Sequence, residues 1–223
     1  MRKIIITGSF IFLFYSVFSQ KQADLIDLLI DCYELLYNPT IIEISSTDGS
    51  VFTCIQPPDN FYENFHDHKI GFDLLQTKEV VSFSYRDSVV PPLKIPMRLT
   101  SAWGELRTDG QVHYGIDFGL SIGDTIYSVF CGEVRIVTFD NGGYGHVVVI
   151  RNYNMSETLY GHLDKSLVKN SQKVIVGQPI GIGGNSGKSS GPHLHFEIRS
   201  SGQSFNPIAN GLFLKKFPIV NKK

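Results

Sequence analysis

From about residue 97 the chain breaks into short apolar runs separated by glycine turns, and this limits the architectures open to it. The runs are "IDFGL", "TIYSVF", "EVRIVTF", "HVVVIRN", "ETLYGHL", "KVIVGQPIGIG" and "HLHFEIR", with "NGGYG" and "GGNSGKSSG" between them. Each run is short and rich in β-branched and aromatic residues, and no segment of helix length and helical period interrupts them. The pattern predicts a mainly β fold, a compact antiparallel β-sheet domain. Apolar residues make up 42% and charged residues 18%, which suits a packed core. The net charge of −1 lacks the basic surplus that nucleic acid requires.

The region before the β-domain reads differently. Residues 1–19, "MRKIIITGSFIFLFYSVFS", begin with two basic residues, continue as an apolar run and end on a small residue. This is the pattern of a secretory signal peptide, and the run is short for a membrane anchor. Removal would leave 18 basic against 21 acidic residues, a net of −3. The expected product is exported, periplasmic or secreted, with no stable membrane insertion. Residues 20–90 read as a small α+β region: "QADLIDLLIDCYELLY" has helical spacing and "TIIEIS", "SVFTCI" and "EVVSFSY" read as strands. The proline-rich stretch at 91–98 reads as a stiff linker, 99–210 as the β-domain and 211–223 as a tail. Export permits disulfides, and Cys32 with Cys54 is the plausible pair; buried free thiols are the equal alternative.

In "GPHLHFEIRSSG" side chains alternate, so Leu194, Phe196 and Ile198 face one way and His193, His195 and Glu197 the other. The two imidazoles then stand roughly 6.5–7 Å apart at Cα. Such a face is either a solvated strand surface or a metal site. "HYGID" adds His113 and Asp117, and "LYGHL" adds His162. A catalytic zinc takes three N or O ligands and keeps one position open. His113, Asp117 and one of the paired histidines meet that count, and spacing alone leaves open which one.

The stretch from about Leu99 to Pro207 resembles the lysostaphin-type (LytM-like) zinc endopeptidases, which cleave peptide bonds in bacterial peptidoglycan. The resemblance rests on "TSAWG", the H-x-x-x-D of "HYGIDFG", "GYGHVVVI", "LYGHL", "VIVGQPIGIGGNSGKSSGPHLHFEIR" and "FNP". It implies a β-sheet fold with a groove, Zn2+ held by His113, Asp117 and His195, and His162 and His193 as catalytic histidines. It implies peptidoglycan stem peptides or cross-links as substrate. Tyr144, Ser186 and Ser189 are candidate substrate contacts, although the serines equally suit a turn of small residues. Cys131 reads as packing, and "HDH" (66–68) as a solvated loop. The rival expectation is a non-catalytic LytM-like regulator that binds cell wall or activates a partner amidase. The unmatched region 20–90 suggests control of the groove or docking on a regulatory protein.

Overall fold

The computed structural model describes residues 40–45, 51–56, 89–107, 110–154, 156–200, 203–208, 217 and 219–220. The signal peptide expected over 1–19, the helix expected over 22–37, "EVVSFSY", the histidines of "HDH" and Cys32 lie outside the described residues. The strands are β1 (Thr40–Ser45), β2 (Val51–Gln56), β3 (Met97–Ser101), β4 (Ile116–Gly119), β5 (Thr125–Tyr127), β6 (Gly132–Asp140) and β7 (Gly145–Asn152). They continue as β8 (Glu157–Ser166), β9 (Lys173–Val174), β10 (Pro179–Gly183), β11 (His193–Ser200), β12 (Gln203–Phe205) and β13 (Ile219–Val220).

β1 and β2 form an antiparallel hairpin of their own. The main sheet runs β13-β3-β4-β11-β8-β7-β6-β9, with β12 on β11 and the β5–β10 pair joined through β8. Its ladders are antiparallel except β13 on β3, which is parallel, so the sheet is mixed. The two-residue alternation of "HLHFEI" is realised: Leu194, Phe196 and Ile198 are buried with Ile116, Phe118 and Tyr160 in the principal core. Burying each such side chain contributes ~1.5–3 kcal/mol. The opposite face carries Asp117 on β4 and His193, His195 and Glu197 on β11, beside a second apolar cluster that includes Leu159 of β8.

Two boundaries differ from expectation. Residues 91–98 are not a free connector: Leu93 and Met97 are buried in the core and β3 starts at Met97. The backbone N–H of Tyr127 donates to the Pro92 carbonyl at 2.9 Å. The prolines stiffen the segment, but its apolar side chains fill the core. The expected tail also returns to the fold, with Phe217 buried and β13 paired to β3.

The expected Cys32–Cys54 pairing gives way to another. Cys54 on β2 is bonded to Cys131, with Cα atoms 5.8 Å apart and a sequence separation of 77. Both cysteines pack with Val176, so Cys131 is a crosslink as well as a packing residue. Closing a loop of that length contributes about 4 kcal/mol in the chain-entropy account. The bond ties the β1–β2 hairpin to the strand region of the main sheet.

Candidate metal centre and active site

Register builds the site. Across β4 and β11, His195 lies directly opposite Asp117, and across β11 and β8 it lies opposite Gly161. Asp117 and His195 therefore meet on the polar face at 2.9 Å, and Gly161 places no side chain against them. His113 arrives from the chain before β4. Its N–H donates to the Glu105 carbonyl and its own carbonyl accepts from Gly104, closing a short hairpin. Gly115 is needed for this approach: a Cβ there would sit 2.6 Å from the His195 ring and 2.8 Å from the Phe196 carbonyl oxygen.

His113 Nε2, Asp117 Oδ1 and His195 Nδ1 converge on one point. Their separations are 3.0 Å between the two nitrogens, 3.1 Å from His113 to Asp117 and 2.9 Å from His195 to Asp117. All three residues are buried. Tetrahedral zinc with bonds of ~2.0–2.1 Å separates its ligand atoms by about 3.3 Å, so the triangle is close to the size required. The outer atoms are also committed. His113 Nδ1 lies 2.9 Å from the Ala102 carbonyl and 3.0 Å from Ser101 Oγ, and His195 Nε2 lies 2.9 Å from Glu197 Oε1. With each outer N–H donating, both inner nitrogens present lone pairs beside a carboxylate oxygen, and only a proton or a metal cation can join three such acceptors. Burial works against ionising Asp117, yet its close contacts with the imidazoles of His113 and His195 hold its carboxyl far below the usual range. Burial likewise works against charge on His195, but Asp117 and Glu197 outweigh it and raise its pKa.

Glu197 is itself held. It accepts from Arg199 Nε at 2.6 Å and from the Tyr144 hydroxyl at 2.7 Å. Burial alone would raise its pKa, but the His195 hydrogen bond and the Arg199 charge bring it down to about 2. The residue thus stays a carboxylate that can orient the His195 ring.

His162 reaches the same face through a β-bulge. Two residues of β8, Gly161 and His162, oppose the single Val147 of β7, as the register passes from Val148↔Tyr160 to His146↔Leu163. Tyr160 and Leu163 therefore both enter the core, and His162 turns toward the polar face. Its φ of 60° is in the left-handed region, uncommon for a residue with a Cβ. His162 N–H donates to the Tyr144 carbonyl at 2.7 Å, and its Nδ1 lies 2.7 Å from the Ser186 carbonyl. His193 Nδ1 lies 2.8 Å from the Gly191 carbonyl. The two rings stand 4.5 Å apart, and Nε2 of His193 is buried without a hydrogen-bond partner, 3.6 Å from Asp117 Oδ2. Burial, then the neighbouring His193, lowers the His162 pKa to about 4, so this ring is a neutral proton acceptor at neutral pH.

The three expected substrate contacts are beside the site, but their hydroxyls are engaged within the protein. The Tyr144 ring lies 5.4 Å from that of His195 and its hydroxyl serves Glu197. Ser186 Oγ donates to the Leu163 carbonyl and accepts from the His146 N–H. Ser189 Oγ contacts Asn185, the Gly191 carbonyl and His193 Nδ1. Two further residues touch the site without having been candidates in the sequence. Glu197 was readable, since it shares the strand face of His195 two residues on. Arg107, whose Nη2 lies 2.9 Å from Asp117 Oδ2, carries no sequence signal.

The model of peptidase family M23 matches residues 111–207. This stretch belongs to peptidase family M23. An uncharacterized metalloprotease of Haemophilus influenzae is 38% identical over 122 residues, covering 52% of this chain and 26% of that protein. Peptidoglycan DD-endopeptidase ShyA of Vibrio cholerae is 44% identical over 96 residues, 43% of this chain and 22% of ShyA. The chain thus spans about a quarter of the length of these curated relatives. The crystal structure of a zinc containing peptidase from Vibrio cholerae superposes with a TM-score of 0.50 at 26% identity, covering 74% of this chain and 45% of that one. The M23 match includes His113, Asp117, His162, His193 and His195, the residues that the fold brings together.

Proposed function

We propose that the chain is an exported zinc endopeptidase that hydrolyses peptide bonds in peptidoglycan stem peptides or cross-links. The observation that carries this reading is the convergence of three acceptor atoms within 2.9–3.1 Å, beside two histidines whose Nδ1 atoms are already engaged. His113, Asp117 and His195 would hold the metal. Zinc held there would supply Lewis-acid polarisation of a peptide carbonyl and a more acidic water.

The protein's own residues supply the rest. Neutral His162 takes a proton at Nε2, because its Nδ1–H donates to the Ser186 carbonyl. His193 is held in the same sense by the Gly191 carbonyl, so its Nε2 also faces the reacting groups. Once protonated, either nitrogen can donate to a departing amine or to a developing oxyanion. The hydroxyls of Tyr144, Ser186 and Ser189 serve the scaffold, so peptide contacts at these positions would come from the Tyr144 ring and the backbone of the 185–191 loop.

Export is supported by the apolar stretch at 1–19 and by the Cys54–Cys131 bond, which suits an oxidising compartment. The ShyA name supports the substrate class. A non-catalytic regulator would have no need for five filled positions. The test is digestion of purified sacculi by the mature chain, with and without chelator, followed by mass spectrometry of the released fragments. Zinc-dependent new amino termini in the stem peptides are expected. Intact sacculi with a fully metallated protein would contradict the proposal.

A further inference from the structure

Arg107 is a cation at the metal centre that the chemistry above does not use. It lies on the hairpin closed by the Leu106–Val112 bridge and by its own N–H to the Gln111 carbonyl at 2.8 Å. Its guanidinium bonds Asp117 Oδ2 at 2.9 Å with the side chain 42% exposed, while that carboxylate is buried. Asp117 Oδ1 faces the two ligand histidines, so Arg107 is anchored on the other edge of the carboxylate. His193 Nε2 lies 3.6 Å from that same Oδ2. The guanidinium and Nε2 of His193 therefore approach the same carboxylate oxygen. One N–H of five is engaged with Asp117, and the remaining fork has the shape that pairs with a second carboxylate.

We infer that Arg107 is a specificity-determining residue that binds a free carboxylate beside the scissile bond. Substrates carrying such a group, at a peptide terminus or on a branching amino acid, would be favoured over bridges of uncharged residues such as glycine. This rests on the endopeptidase reading for its substrate class but not for its test. No covalent step is involved.

The experiment uses the full mature chain loaded with zinc and two uncleavable probes. Both are short D-alanyl-D-alanine peptides with a ketomethylene group in place of the last amide; one ends in a carboxylate and the other in a carboxamide. Calorimetry should show the carboxylate probe bound at least ~10-fold more tightly, as expected for a charge-assisted pair. Arg107→Met should reduce that preference to within about twofold, with the amide probe little affected. Arg107→Lys keeps a cation near Asp117 but lacks the fork, and should lose most of the preference while still binding zinc. Equal binding of both probes by the unmodified protein, or an equal loss for both probes in the two variants, would overturn the assignment. If the preference appears and vanishes as stated while sacculi stay intact, Arg107 keeps its role and the endopeptidase reading fails.

Discussion

His113, Asp117 and His195 share a sheet face with His162 and His193, yet the two groups are held in opposite ways. The first three contact one another through their inner atoms and are oriented by Ala102, Glu197 and Arg107 from outside. Their acidity is tied together, with Asp117 pushed down and His195 pushed up. The other two rings are anchored through Nδ1, His162 by the Ser186 carbonyl and His193 by the Gly191 carbonyl and Ser189 Oγ, and Nε2 of His193 has no hydrogen-bond partner. Holding a cation calls for converging lone pairs with fixed donors behind them. Moving a proton calls for a neutral ring with one free nitrogen, which burial secures for His162 at a pKa of about 4. One polar face thus offers two arrangements, one suited to a cation and one to a proton, separated by what lies behind each ring.

The sharpest break comes from the first group. Asp117→Ala should abolish tight zinc binding and turnover together, read by metal analysis and by release of peptide fragments. His162→Ala and His193→Ala should keep stoichiometric zinc and lose turnover by ~10²–10⁴-fold, the usual worth of acid–base or oxyanion help. Loss of zinc in either variant would merge the two groups. Glu197→Gln tests the support behind His195 and should weaken zinc affinity by ~10–100-fold in a chelator competition. Ser101→Ala should have the smallest effect, about twofold in the same assay, because the Ala102 carbonyl still accepts from His113 Nδ1.

Much of this was legible where local geometry decides. Two-residue alternation in "HLHFEI" separated core from site, and the seven glycine-punctuated runs mark β4 to β11, whereas β3, β12 and β13 were not readable as strands. Which histidine ligates came from the family resemblance, because alternation places both on one face. The His162 orientation was hidden: period-two counting from Leu159 sends it into the core, and only the bulge at Gly161–His162 turns it out. The Cys54–Cys131 bond was hidden because its partners lie 77 residues apart and meet through tertiary packing. Prolines at 91, 92 and 96 suggested a linker, yet burial of Leu93 and Met97 made it part of the core. Arg107 escaped notice because a hairpin, not a spacing rule, carries it to Asp117.

The most direct test is anomalous diffraction at the zinc edge from crystals of the zinc-loaded protein. The account predicts one peak ~2.0–2.2 Å from His113 Nε2, Asp117 Oδ1 and His195 Nδ1, with Nε2 of His162 and of His193 outside bonding distance. A peak ligated by His162 or His193, or no peak among the three residues, would contradict it.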